Sequence, residues 1–346
     1  MTARKDTPPI LLITGGGGYV GSTLIREALS KGYRVRCLDF LIYGGKPLIG
    51  LLNHPNFELI QGDIRDKEVV KRSMENVDYV IHLAAIVGDL PCQAAPRSAY
   101  QINFQGTCLL AEAAKKTGVK KFIFASTCSN YGAIDTRIAA NELTTLNPVS
   151  LYAELKIDCE KFLQEFSEER FAVICLRYGT AYGVSFRTRF DLTVNSFAYE
   201  ALTKNEIVVF GSNTWRPYIH VHDMAIVALL VLAAPSEKVQ GQILNAGSTA
   251  QNYTKHQIIE ILKKCLSGLR TRCLNNVDDN RSYRVDFSKI NQTLGFVPMH
   301  TVKSGFEEII FCFNKGILTS EDYESNKLDH LQKFFGEKES QLSKKF

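Results

Sequence analysis

The 346 residues are 45% apolar and 22% charged, enough for one large α/β domain or a core domain with a smaller lobe, with no disulfide or metal staple required. A formal charge of +5 is spread along the chain apart from short runs such as Lys120-Lys121 and Lys263-Lys264, which argues against nucleic acid as a partner and suits a multiply anionic small substrate. Nine cysteines without zinc-finger or redox-motif spacing read as free thiols of a reducing cytoplasm, and no stretch is long and apolar enough to span a membrane.

The apolar run after Arg4 and Lys5 is short and enters a glycine loop, so it reads as a first strand and not as a signal peptide. Residues 10–14 are expected to form that strand, and 18–31 a helix ending at Gly32. Residues 34–39, 57–60, 79–83, 122–125 and 172–176 follow as strands, with helical patterns over 66–75, 99–116 and 152–168. Strand–helix alternation of this kind predicts a doubly wound parallel sheet covered on both faces. After about residue 184 the alternation loosens. Residues 191–203, 223–233 and 254–267 are expected as helices, and 207–210 and 242–245 as short strands. The expected division is a cofactor domain over 1–184, a smaller discontinuous substrate lobe over 185–318 with some segments returning to the core, and a polar tail over 319–346.

Two elements carry chemistry. Gly15, Gly18 and Gly21 sit where the first strand enters the first helix. A helix N-terminus offers unpaired amides and a partial positive charge, and glycines let a dinucleotide pyrophosphate approach the backbone. Asp39 ends the second strand, where a carboxylate can take the adenosine ribose hydroxyls and repel a 2′-phosphate, so the expected cofactor is NAD. Far downstream, Tyr152 and Lys156 lie four residues apart, on one face of a helix. A free phenol has a pKa near 10, and lowering it toward 7 takes about 4 kcal/mol of differential stabilisation. A lysine ammonium and an oxidised nicotinamide ring can share that task. Loop and pair together point to a nicotinamide enzyme acting on an alcohol or ketone.

The stretch Thr14 to Gly21 has the TGxxGxxG spacing and resembles the extended short-chain dehydrogenase/reductase family. The resemblance implies a Rossmann-type fold, with Tyr19 and Val20 beside the glycines at the cofactor. It places Asp63 and Ile64 at the adenine and Leu83-Ala84-Ala85 beside the dinucleotide, while His82 is a packed strand residue. Ala125-Ser126-Thr127-Cys128-Ser129-Asn130-Tyr131-Gly132 resembles the family's Ser-Ser-x-x-x-Tyr-Gly strand end. By position Thr127 takes the catalytic hydroxyl role, with Ser126 the alternative one step away. Asn103 matches an asparagine that supports the cofactor and active-site geometry.

Leu176-Arg177-Tyr178-Gly179-Thr180-Ala181-Tyr182-Gly183 resembles the LRYFNVYG segment of nucleotide-sugar epimerases and dehydratases, with Tyr178 on the cofactor side and Thr180 on the substrate side. Trp215 to Asp223 resembles their RDFIHVDD segment, and Asn245-Ala246-Gly247-Ser248 their N-x-G-S turn. The resemblance implies that Arg216 contacts the substrate diphosphate, with Arg281 or Arg284 as a second clamp and Asn195 on the substrate wall. The basic stretch Phe186 to Asn195 can face phosphates or a sugar hydroxyl. Related 4,6-dehydratases carry Asp-Glu where this chain has Cys128-Ser129, which disfavours dehydration. His220-Val221-His222 has a metal-like pairing, but no third ligand is apparent beyond Asp223, and no metal is assigned.

The expected activity is therefore an NAD-dependent oxidoreductase acting at carbon 4 of a nucleoside-diphosphate sugar, first as a 4-epimerase. A 4-dehydrogenase or 4-ketoreductase would share the same residues, and a non-enzymatic NAD sensor would not need all three of Thr127, Tyr152 and Lys156. The family's habit of pairing through the helices 99–116 and 152–168 implies a homodimer.

Overall fold

A computed structural model describes residues 8–274 and 281–324. Its centre is a seven-stranded, all-parallel sheet. The strands are β1 (Ile10–Thr14), β2 (Arg34–Asp39), β3 (Phe57–Gln61), β4 (Tyr79–His82), β5 (Lys121–Thr127), β6 (Ala172–Tyr178) and, after three strands of a second layer, β10 (Ile243–Ala246). Their order is β10-β6-β5-β4-β1-β2-β3. Helices cover both faces, so the inner strands β1 and β6 are buried at every residue and read as continuous apolar runs. This is the doubly wound Rossmann-type arrangement that the strand–helix alternation predicts.

Helix α1 (Tyr19–Ser30) starts directly off the glycine turn after β1 and packs against the apolar helix Val221–Ala233. The expected helix over 99–116 is three pieces: Pro96–Ala99, a widened π turn Tyr100–Gln105, and Gly106–Thr117. Extra π turns occur mostly where function needs a displaced side chain, and here the turn carries Asn103.

The remaining strands build the second layer: β7 (Thr180–Tyr182), β8 (Glu206–Phe210), β9 (Trp215–His220), β11 (Asn252–Thr254) and β12 (Arg270–Leu274). They pair as β11-β9-β7 and β12-β8. Helices Thr193–Lys204, Lys255–Cys265 and Val302–Asn314 pack there around Phe197, Ile207, Tyr218, Ile258 and Phe306. The sequence reading misses β9 because Pro217 interrupts it. The strand survives by pairing antiparallel to β11 on one side and parallel to β7 on the other.

His300, unseen in the sequence pattern, supplies the third side chain beside His222 and Asp223. All three are engaged in structure. Asp223 accepts the amides of Met299 and His300, both at 3.0 Å. The His300 ring stacks on His220 at 4.1 Å, and His222 reaches Glu27 of α1 at 3.2 Å. The cluster thus ties the 299–300 turn to the start of helix Val221–Ala233 and to α1. The expected polar tail over 319–346 is described only as far as the short helix Ser320–Glu324; the rest lies outside the described residues.

Candidate active site

The turn after β1 is built for close backbone approach. Gly15 has φ of +75°, and a Cβ there would stand 2.7 Å from the Ala84 nitrogen. At Gly21 a Cβ would collide with the Gly15 carbonyl. No side chain caps α1, so its first amides remain available to an anion. Asp39, at the end of β2, accepts the Gly17 amide at 2.8 Å and the Leu41 amide at 2.7 Å. Burial raises its pKa while those two amides pull it down. These residues form a cradle that a side chain would fill, with a carboxylate at one end, and they fit a dinucleotide.

A cavity of about 400 Å³ runs from this cradle across the carboxyl ends of the strands. Its walls include Gly15, Gly18, Tyr19, Val20, Gly21 and Asp39, then Asp63, Ile64, Leu83, Ala84 and Ala85, and finally Thr127, Tyr152, Lys156, Tyr178 and Thr180. Residues read as cofactor and catalytic groups therefore meet in one space. Open parallel sheets bind ligands at this edge.

His82 stands behind that wall, 1% exposed, in a hydrogen-bond chain with fixed directions. The Thr107 hydroxyl donates to the Asn103 carbonyl at 2.6 Å, so His82 Nε2 donates to Thr107 at 2.8 Å. His82 Nδ1 then accepts from the Thr14 hydroxyl at 2.6 Å. This is a neutral imidazole, and burial lowers its pKa to about 3. It is a packed relay, as expected, and not a general base.

At the end of β5, Ser126 and Thr127 part ways. The buried Ser126 hydroxyl donates to Glu160, which also forks onto Arg177. The Thr127 hydroxyl only accepts the Ser129 amide, at 3.0 Å, and keeps its proton for the cavity. Cys128 is buried with its thiol donating to the Arg177 carbonyl, so it is no nucleophile.

Ser150 caps the helix Leu151–Phe166 by accepting the Ala153 amide at 3.3 Å, which sets Tyr152 and Lys156 on its inner face. The Tyr152 hydroxyl makes no hydrogen bond among the described residues. Lys156 donates to the Ala125 carbonyl at 2.7 Å, and its nitrogen lies 5.9 Å from the centre of the Tyr152 ring. Burial raises the Tyr152 pKa, opposite to the lowering anticipated from sequence. The half-buried phenol is desolvated by the cavity walls while the ammonium points at a carbonyl, so desolvation dominates. The cation that acts to lower Tyr152 is Arg189.

Four anticipated contacts lie off this cavity. Asn103 brackets the backbone of Ile86, which does line the wall, so it acts behind the site. Asn195 is fully buried and bonded to both backbone groups of Gly183 and to the Arg189 carbonyl. Arg216 is 8% exposed and donates to the carbonyls of Trp215 and Arg281. Arg281 forms an ion pair with Asp89. Each is occupied by protein partners, some of them far away in sequence as in Arg216–Arg281 and Arg281–Asp89, which spacing alone does not reveal.

The cavity also uses residues that the motif reading left unassigned: Tyr43, Ser129, Arg187, Arg189 and Asp191. Their only advance signal is the basic stretch after Gly183 and an aromatic in the loop after β2.

Comparison with known proteins agrees with this geometry. Residues 11–247 match the model of the NAD dependent epimerase/dehydratase family. A putative UDP-glucose 4-epimerase of Methanocaldococcus jannaschii is 26% identical over 309 residues, 87% of this chain and 97% of that protein. The UDP-glucose 4-epimerase of Drosophila melanogaster is 30% identical over 247 residues, 63% of this chain and 71% of that protein. The Thermotoga maritima UDP-glucose 4-epimerase, solved with UDP-glucose, superposes with a TM-score of 0.79 at 27% identity, covering 89% of this chain and 100% of the other. A dTDP-glucose 4,6-dehydratase from Streptomyces venezuelae, solved with NAD, superposes at 0.78 with 26% identity over 90% of this chain and 99% of the other. The match over residues 11–247 shows that the chain belongs to the NAD dependent epimerase/dehydratase family.

Proposed function

We propose that the chain is a nucleotide-sugar 4-epimerase that works with NAD. One observation carries the reading: Thr127, Tyr152 and Lys156 open onto the same cavity as the glycine cradle and Asp39. The names of the relatives put UDP-hexoses first among substrates. NAD supplies, when bound, reversible redox chemistry at the sugar carbon. Gly15, Gly18, Tyr19, Val20 and Gly21 hold its pyrophosphate end, Asp39 its ribose hydroxyls, and Asp63 and Ile64 its adenine. Leu83, Ala84, Ala85 and Tyr178 wall the path, and Lys156 would hold the second ribose.

Thr127 and Tyr152 present two hydroxyls to the sugar. Tyr152 takes the proton from the reacting sugar hydroxyl and returns it, with Thr127 hydrogen-bonded beside it. Arg189 supplies positive charge against the desolvation that raises the phenol. Thr180 stands on the sugar side of the wall. Dehydration is the weaker reading, because a buried thiol and a hydroxyl stand at 128 and 129 where elimination needs acid and base.

The division into a cofactor domain and a substrate lobe near residue 184 fits this chemistry, with the sugar held between them. Homodimer formation is supported by an aromatic row of Tyr100, Phe104, Phe162 and Phe166 across the expected pairing helices. A cytoplasmic setting is supported by nine cysteines that are all free thiols. No helix among the described residues is long and apolar enough to cross a membrane.

The test is absorbance at the reduced-nicotinamide band with UDP, GDP, CDP and dTDP sugars, followed by NMR of the product. An inverted carbon-4 centre is the expected result; a released ketone or a 6-deoxy product would overturn the epimerase reading. Tyr152→Phe should abolish turnover while NAD still binds.

A further inference from the structure

The stretch after β7 does not simply cross over to the substrate side; it is bolted to the start of α1. The Tyr19 hydroxyl donates to the Gly183 carbonyl at 2.8 Å, and the Ser185 hydroxyl donates to the Tyr19 carbonyl at 2.6 Å. Ser22 and Ser185 share a hydroxyl contact at 3.1 Å. The Arg26 guanidinium lies 3.4 Å over the Phe186 ring. Thr188 closes the turn by donating to the Ser185 carbonyl, and Asn195 grips the Arg189 carbonyl. The Tyr19 and Ser22 contacts fix the segment to the first turn of α1, the helix end whose amides face the cradle.

This docking delivers three alternate side chains, Arg187, Arg189 and Asp191, to one edge of the cavity, and their charges are not equivalent. Three arginines line the cavity: Arg65, Arg187 and Arg189. Asp63 forks onto Arg65 and Asp191 forks onto Arg189. Arg187 forms no ion pair among the described residues. Its guanidinium carbon lies over the Tyr43 ring, 3.5 Å from the centroid, on the wall shared with Asp39 and Gly17. The cradle itself offers amides and no cation. A pyrophosphate carries two negative charges, and a planar guanidinium matches phosphate oxygens two at a time.

We infer that Arg187 is a cofactor-phosphate clamp: its guanidinium binds the pyrophosphate of NAD from the substrate side, opposite the amides of α1. Because the clamp rides on the segment between Gly183 and Asp191, holding the cofactor also holds the sugar-side wall in place. The inference needs NAD as cofactor and does not depend on which sugar reaction follows.

The experiment is calorimetric titration of the full chain and of Arg187→Gln and Arg187→Lys with NAD, ADP-ribose and adenosine. A charge-assisted hydrogen bond of about 1.5–3 kcal/mol corresponds to roughly a 10–100-fold loss of affinity. Arg187→Gln should lose that much for NAD and for ADP-ribose, and less than twofold for adenosine, which lacks phosphate. Arg187→Lys should recover part of the loss, and raising salt should weaken NAD binding to wild type more than to Arg187→Gln. Unchanged NAD affinity in Arg187→Gln would overturn the clamp. So would an equal loss for adenosine and ADP-ribose, which would assign Arg187 to packing on Tyr43. If Arg187→Gln does not fold, the Arg187→Lys ratio of ADP-ribose to adenosine affinity and the salt slope of wild type decide the matter in the same way.

Discussion

The carboxamide of Asn103 holds both backbone groups of Ile86: its nitrogen donates to the carbonyl at 2.9 Å and its oxygen accepts the amide at 2.8 Å. The π turn in which Asn103 sits is what aims it at the loop after β4. Asn103→Ala strands two buried backbone groups at about 1–3 kcal/mol each. The expected outcome is a lower melting temperature and weaker NAD binding. Asn103→Asp should be at least as damaging, because a second carboxylate oxygen would face the Ile86 carbonyl. Thermal melts with and without NAD check both.

His82 makes stability depend on pH in a defined direction. Its folded pKa of about 3 lies below the ordinary 6.5 of an unfolded histidine. Between those values the unfolded chain binds a proton that the folded relay refuses. Stability from this group is therefore complete above about pH 6.5 and is lost as pH falls toward 3, at up to about 1.4 kcal/mol per pH unit. Urea denaturation from pH 7 to 4 should show a steeper decline for wild type than for His82→Leu. Parallel curves would refute the relay.

Asp39 should govern the choice of dinucleotide. Its carboxylate is set by two amides and faces the cavity that Arg187 shares. Asp39→Ser removes the repulsion toward a 2′-phosphate. NAD affinity should fall about tenfold, the scale of one charge-assisted hydrogen bond, while NADP affinity rises. Fluorescence titration with both dinucleotides measures the ratio.

The neighbours Ser126 and Thr127 should separate stability from turnover. Ser126 belongs to a buried network in which Glu160 forks onto Arg177 and also takes a hydrogen bond from Asn130 at 3.0 Å. Glu160→Ala leaves a guanidinium buried without its partner, at a cost of about 3–5 kcal/mol. Ser126→Ala should lower stability modestly and keep most activity. Thr127→Val, nearly the same shape, should keep stability and lose turnover. Chemical denaturation beside steady-state kinetics reads both effects.

The inner strands of the main sheet were legible because two-sided burial turns them into apolar runs, as in Ile10–Thr14 and Ala172–Leu176, while the half-exposed β2 was legible from its alternation. The glycine turn and the Tyr152–Lys156 pair were legible because each obeys local geometry: a backbone approach and one helical turn. The choice between Ser126 and Thr127 was not, since Glu160, two turns beyond Tyr152 on the helix Leu151–Phe166, decides it. Nor could spacing show that Asn195 and Arg281 serve other partners, because Gly183 and Asp89 meet them only in the folded chain. Tyr152 departs from expectation for a similar reason: its desolvation is a property of the assembled walls.

The seventh strand, β10, joins the main sheet only after the intervening second-layer strands. Until residues 243–246 emerge during synthesis, β6 remains a naked rim whose sequence, Ala172-Val173-Ile174-Cys175-Leu176, is sticky and uncharged. A fragment ending near residue 184 would carry that rim permanently and should clump in the cell. The main sheet is therefore completed late, once the ribosome has delivered residues 243–246 and the second-layer strands before them.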